Sequence, residues 1–212
     1  MRYDRCKSLF GDNFIKLQNS KVIILGVGGV GGYALDCLYR SGVTNITIVD
    51  YDTFDITNQN RQIGSEITNI SKVVRLKELY PQIKIIDKKI DIKWLEEFDF
   101  DQFDIIIDAI DDIKPKIYLI THYYKKLIST SGSANRIDPT KIEYINIFKT
   151  YNDPFIKKIR EELKKVKFNK NFKVVFSSEL PLNKNMGSFV GVTGSFGLSL
   201  CSVTIKKLLS EK

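Results

Sequence analysis

Histidine is almost missing from this sequence: His122 is the single one in 212 residues. It stands in YLITHYYKK, a segment that reads as helix, where a lone histidine is more often structural than catalytic. Cysteine is scarce too. Cys6, Cys37 and Cys201 lie far apart, form no CxxC and lack zinc-ligand spacing, so reduced, mostly structural thiols are expected. These absences exclude a histidine-rich metal site and leave a Cys–His nucleophile without its parts. No apolar run approaches the length of a bilayer-spanning helix. The start, MRYDRCKSLFG, is polar and mixed, unlike a secretory leader, and a cytoplasmic location is the expectation. Internal repeats and low-complexity linkers are absent as well. The expected organisation is one domain over residues 1–212, with an N-terminal helical segment at 1–19 and a region of changed pattern at 140–212.

Acidic residues are the minority charge: 25 Asp plus Glu stand against 33 Lys plus Arg, a formal charge of +8. That excess favours polyanionic partners, although a lysine-rich composition bias gives the same number. The basic residues cluster. Between Lys149 and Lys173 there are nine Lys or Arg and three acids, on a stretch that includes the amphipathic pattern DPFIKKIREELKKV. Phe155, Ile156, Ile159, Leu163 and Val166 fall on or near one face of that helix.

The order of elements reads as α/β. Apolar positions from Leu9 to Leu17 suggest one or two short helices ahead of the first strand, KVIILG. A helix through GGYALDCLYRSG and a strand NITIVD complete a βαβ unit of about 30 residues. The polar segment YDTFDITNQNRQIG follows, then a helix in NISKVVRLKELYP and strands in KIIDKKI, FDIIIDAID and LISTSGS. FDIIIDAID is nearly continuous in apolar residues, as a buried parallel strand is. Past Asp138-Pro139 the pattern predicts two more strands, KIEYINIFKT and FKVVFSSEL, and a closing apolar helix. The predicted fold is a Rossmann-like, doubly wound mixed β-sheet with flanking helices.

Gly26, Gly28 and Gly31 match G-x-G-x-x-G, with Gly29 beside them, between strand and helix. The first allows a tight turn, the second lets backbone approach a phosphate, and the third permits close helix–strand contact. Asp50 ends the second strand at the spacing of a ribose-binding acid. The alternative is a glycine turn kept only for packing. Three later features favour ATP over a dinucleotide. Asp52, Asn58, Asn60, Arg61 and Gln62 make a dense polar set, in which Arg61 would counter triphosphate charge; an asparagine-rich capped loop is the other reading. Lys72 opens the next helix within reach of a phosphate, or is an ordinary surface lysine. In IIIDAIDDIKPK, Asp108 ends a strand and Asp111 and Asp112 follow. Carboxylates there can hold Mg²⁺ beside phosphates, Asp111 first among them, with Asp108 or Asp112 supporting the loop. Helix N-capping by Asp111 or Asp112 is the competing role.

Together the glycine turn, VDYDTFDITNQNRQIG, Lys72 and DAIDDIKPK resemble the ubiquitin-activating E1-like superfamily, whose members adenylate a carboxylate with ATP and Mg²⁺. YDRCKSLFG, NQNRQI, SGSANRIDPTKI, VVFSSE and the final GSFGLSLCSVTIKKLL resemble the tRNA threonylcarbamoyladenosine dehydratase branch. The resemblance implies an E1-like adenylation fold, a tRNA substrate, and ring closure on the modified adenosine after adenylation of its threonine carboxylate. It assigns Asp50 to the ribose, Asn58, Arg61 and Lys72 to the phosphates, and Asp111 to Mg²⁺. Arg5 would act in trans across a homodimer, and 140–212 would form the substrate side and dimerisation region. A monovalent cation, a sulfur-transfer protein partner and peripheral membrane association stay open.

Two departures are visible. Cysteine pairs for a structural zinc are missing, and no cysteine is placed for thioester formation. Both weigh against the alternative, adenylation of the C-terminus of a ubiquitin-like sulfur-carrier protein. The interval LPLNKNMGSFVGVT is compressed relative to the branch, and Val174 and Val175 stand where other members carry a cysteine.

Overall fold

The computed structural model describes residues 2–183 and 187–210. Lys184, Asn185 and Met186, inside the compressed interval, lie outside the described residues. Seven strands form one sheet in the order β3-β2-β1-β4-β5-β7-β6. They are β1 (Val22–Leu25), β2 (Ile46–Asp50), β3 (Lys84–Asp87), β4 (Ile105–Asp108), β5 (Leu127–Thr130), β6 (Ile142–Asn146) and β7 (Lys173–Ser177). All pairings are parallel except β6 with β7. The doubly wound mixed sheet expected from the sequence is therefore present. Its strand order reverses between β1 and β4, which opens a crevice at the carboxyl ends of those strands.

Strand alternation sorts side chains onto two faces. Val22 and Ile24 of β1 join one core; Ile23 and Leu25 join the other. The first core is covered by α2 (Phe14–Asn19), α3 (Gly29–Arg40), α4 (Lys72–Leu79) and α8 (Val190–Ser210). The second lies under α5 (Ile92–Glu97), α6 (Ile113–Tyr123) and α7 (Pro154–Lys165). Short α1 (Asp4–Phe10) precedes α2. β1 and β4 are buried along their whole length, so their near-continuous apolar runs are what a double-sided core demands.

α7 shows how local chemistry sets an element. Asp153 caps it by accepting from the Ile156 N–H at 3.0 Å, and Pro154 sits at the first helical position, where no N–H is missed. Ile156, Ile159 and Leu163 are buried at helical spacing. Val166, expected on that apolar face, is instead 56% exposed, because the helix ends at Lys165 and Lys167 turns into a positive φ of 55°.

The cysteines correct a second expectation. Cys37 of α3 and Cys201 of α8 are paired as a disulfide with Cα atoms 6.1 Å apart, while Cys6 is free. They are separated by 164 positions in sequence. Only the close packing of α8 on α3 brings them together, with Gly197 against Val30, Tyr33 and Ala34. His122 behaves as expected: it stacks on Tyr118 at 4.1 Å and bonds to the carbonyl of that residue.

Candidate active site

The crevice is built first from glycine. Gly26 leaves β1 with φ of 83°, and a Cβ on it would meet the Ala109 carbonyl oxygen at 2.9 Å. Only glycine tolerates that conformation and approach together. A Cβ on Gly31 would overlap the Gly26 carbonyl oxygen at 1.9 Å, which is the close helix–strand contact the motif predicts. Gly29 is pressed by Thr193 of α8 in the same way, at 2.5 Å. Gly28 differs. A Cβ there would have one neighbour within 4 Å, the Gln62 amide nitrogen at 3.7 Å. Gly28 caps α3 without a side-chain bond, so the first N–H groups of a 12-residue helix face this space. The arrangement suits a phosphate: N–H groups of a first helical turn, the positive end of a helix dipole and open space at Gly28.

Asp50 sits beside that turn at the end of β2. One carboxylate oxygen accepts from Val27 N–H at 2.8 Å and the other from Asp52 N–H at 2.9 Å. Burial pushes its carboxyl above the ordinary range, with the two N–H bonds and the Lys72 charge pulling the other way. Each oxygen retains a further lone pair, so hydroxyl donors from a ribose would be accepted and would relieve the cost of the buried charge. The Gln62 side-chain oxygen is buried and has no hydrogen-bond partner. A buried acceptor beside a glycine turn that lacks a donor is suited to one supplied by a ligand.

The polar loop between β2 and α4 is not a loose connector. Asp55 and Asn58 form a reciprocal capping box on the short turn Ile56–Asn58. Asn58 is thereby committed to the loop's own backbone, accepting from Asp55 N–H at 3.1 Å. Arg61 folds over the start of α3, its Cγ 3.6 Å from the Cβ position of Gly29. Its guanidinium donates to the Thr57 carbonyl at 2.9 Å and to the Asn60 side-chain oxygen at 2.8 Å. Asn60 in turn donates to Ser188 O at 3.1 Å. Lys72 is 8% exposed and its ammonium donates to Asp52 at 2.9 Å. The sequence suggested a lysine aimed at phosphate; its present partner is this carboxylate, itself 47% exposed.

Opposite the glycine turn, β4 ends at Asp108 and the loop 109–112 begins. Asp112 is the helix cap, accepting from Lys114 N–H at 3.1 Å. That resolves one ambiguity: capping belongs to Asp112, and Asp111 stands exposed one residue before it. Among the described residues no three His, Cys, Asp or Glu side chains cluster to hold a metal ion. A hard cation at Asp111 would take most of its oxygens from phosphate and water, as Mg²⁺ commonly does.

Below this loop lies a group the sequence reading missed. Lys116 and Asp108 are both fully buried and paired at 2.7 Å. The ammonium also donates to Ser129 Oγ at 3.3 Å and Thr130 O at 3.1 Å, and Ser129 donates to Asp108 at 2.6 Å. The second Asp108 oxygen accepts from Ile110 N–H at 3.1 Å, which fixes the loop that carries Asp111. A lysine eight residues past a strand-ending aspartate, on a helix otherwise turned inward, was the available signal.

A similar buried latch sits past β5. Arg136 pairs with Asp153 at 3.1 Å and donates to the carbonyls of Gly132 at 2.7 Å and Glu179 at 3.2 Å. It ties the β5 loop, the start of α7 and the end of β7 into one rim. Arg5 is not brought to this site. It is exposed on α1, and its neighbours Tyr3 and Cys6 bond to the Tyr39 and Arg40 carbonyls, at the end of α3 remote from the glycine turn.

A glycine turn at the switch point, a strand-end acid and a charged loop over the helix start define the E1-like class of α/β proteins, which carry out ATP-dependent adenylation. The chain belongs to the ThiF family, whose model matches residues 4–211. It is 38% identical to the tRNA threonylcarbamoyladenosine dehydratase of Bacillus subtilis over 78% of this chain and 70% of that protein. With the enzyme of the same name from Haemophilus influenzae it shares 28% identity over 95% of this chain and 90% of that one. Among solved structures it resembles the Escherichia coli tRNA N6-threonylcarbamoyladenosine dehydratase in complex with ATP. The TM-score is 0.90 at 29% identity, covering 99% of this chain and 94% of that one.

Proposed function

We propose that this chain dehydrates N6-threonylcarbamoyladenosine in tRNA at the expense of ATP. The threonine carboxylate attacks the α-phosphate and pyrophosphate leaves. A nitrogen of the same modification then attacks the activated carbonyl, the ring closes, and AMP departs with the former carboxylate oxygen. The chemistry asks the protein for positioning and charge compensation, with no protein nucleophile. Among the described residues, Cys37 and Cys201 are paired in α3 and α8 and Cys6 lies on α1, so no thiol stands at the crevice for a thioester.

Asp50 would hold the ribose, and the N–H groups at Gly28 and Gly29 the phosphates. Arg61 would stabilise charge on the transferred phosphoryl group, turning its fork from Thr57 and Asn60. Asp52 would face the same space. Lys72 would reach a phosphate by sharing or leaving Asp52. Asn58 supports the loop, and Gln62 offers its orphan oxygen. Mg²⁺ at Asp111 would neutralise phosphate charge and ease departure of pyrophosphate. Residues 140–212 would form the substrate and dimerisation side, and Arg5 would serve the partner's site in a homodimer.

What supports the reading is the near-complete match to dehydratases together with a crevice shaped for a nucleotide phosphate. The test is nucleoside analysis of tRNA carrying threonylcarbamoyladenosine after incubation with protein, ATP and Mg²⁺. The expected outcome is its replacement by a product lighter by one water, dependent on ATP. Unchanged modification, under conditions where the Bacillus subtilis dehydratase acts, would sink the proposal.

A further inference from the structure

A second basic feature lies at the amino-terminal ends of β5 and β7, whereas the nucleotide crevice is at the carboxyl ends of β1 and β4. An open groove of about 350 Å³ is lined by Tyr124, Lys125, Tyr144, Asn171, Lys173 and Lys207, among others. Its lysines come from three elements: the turn before β5, the first residue of β7, and the last turns of α8. Among the described residues that line it there is no carboxylate. Lys207 donates to the Lys125 carbonyl, which holds the end of α8 against the turn. The Lys173 ammonium lies 5.6 Å from the Tyr144 ring, and Phe168 holds Tyr124 edge-on at 5.8 Å. Three cations are thus gathered on a framed surface.

α7 joins this groove to the active-site rim. Its first turn is fixed at the rim by the Arg136–Asp153 pair. Its far end runs into Phe168, which packs on Tyr124 of the groove. Twelve residues of helix span about 18 Å. Along that path Lys157, Lys158, Lys164 and Lys165 are exposed, followed by Lys167, Lys170 and Lys173; Lys165 is paired with Glu162 at 2.5 Å.

We infer that the Lys125–Lys173–Lys207 groove is an RNA-backbone site, receiving phosphates of the anticodon stem while the loop enters the crevice. This rests on the tRNA reading above. The geometry suits a rod-like polyanion: one end of the track meets the reacting nucleotide, the other meets the groove. Contacts of this kind set affinity and register without reading sequence.

The experiment compares the full-length protein with K125E/K173E/K207E, and with K125Q/K173Q/K207Q should charge reversal unfold it. Measured are AMP affinity, thermal stability, and binding of modified tRNA as a function of salt. We expect AMP binding to be unchanged. We expect tRNA affinity to fall about tenfold or more and the slope of log K against log salt to flatten by about 2 to 3. A modified anticodon loop lacking its stem should bind wild type and variant alike. If wild type binds and dehydrates tRNA while the variants match it in affinity and salt slope, the groove inference falls and the function stands. If wild type neither binds nor modifies tRNA, the functional reading itself falls, and this inference with it. Phosphatidylserine–phosphatidylcholine vesicles are the control for a lipid surface: groove-dependent vesicle binding, with tRNA binding unaffected by the substitutions, overturns the inference.

Discussion

At the scale of single residues, the site depends on which polar group is already committed and which is not. Asp112 caps α6, so Asp111 carries no capping duty. Asn58 is engaged in its own loop, so its substitution should act through loop order. Arg61 is half-buried over the start of α3, and its guanidinium donates to two neutral oxygens, on Thr57 and Asn60. We therefore expect Arg61→Ala and Asp111→Asn each to abolish turnover while the far-UV spectrum and melting temperature stay close to wild type. A loss of one transition-state donor or metal ligand costs about 10²-fold or more in rate; an unchanged kcat for either variant would remove that residue from the site. The sequence named both residues. It did not indicate that Lys72 is held by Asp52, because a pair 20 positions apart is visible only once β2 and α4 are packed.

At the scale of elements, one buried and one half-buried polar link tie helices to their neighbours. Lys116 binds α6 to the ends of β4 and β5. Lys116→Met leaves Asp108 buried without its counter-charge, and a loss of about 3–5 kcal/mol is expected by urea titration. Adding Asp108→Asn should recover part of it. The second link is Tyr80, at the end of α4, whose hydroxyl donates to Asp36 of α3 at 2.8 Å. Burial first, then the bond to Asp36 and its charge, raise this phenol well above its ordinary value. A folded pKa above the unfolded one gives stability that is fully present below about pH 10 and is lost as pH rises toward the folded value. Tyr80→Phe should cost about 0.5–1.5 kcal/mol at neutral pH and show a shallower alkaline loss. Equal slopes for the two proteins above pH 10 would remove Tyr80 from this role. Element types were legible from periodicity and glycine. The Asp108–Lys116 link was not, since apolar patterning carries no information about which polar side chain turns inward.

At the scale of the molecule, the question is whether one chain completes its own site. Arg5 lies at the wrong end of α3 to serve the crevice of its own chain. The homodimer proposed above makes a quantitative prediction. Arg5→Ala and Asp111→Asn chains, each inactive alone, should regain activity when mixed and allowed to exchange. Random pairing makes half the dimers mixed, each with one intact site, so about one quarter of wild-type turnover is expected. No recovery, with exchange verified by size and mass, would confine each site to a single chain. Among the described residues no helix is long and apolar enough to cross a membrane, which agrees with the lack of long apolar runs in the sequence.

The sequence by itself determined the sheet-and-helix order, the glycine turn and the acids at the strand ends. These are local: a glycine spacing, a run of β-branched residues or a cap is decided by neighbours along the chain. Tertiary structure alone decided which of them meet. It set Lys72 on Asp52, buried Lys116 beneath Asp108, paired Cys37 with Cys201, and left Arg5 far from the crevice. Those outcomes depend on the packing of α8 on α3 and on strand order, contacts between residues distant in sequence that no local pattern encodes.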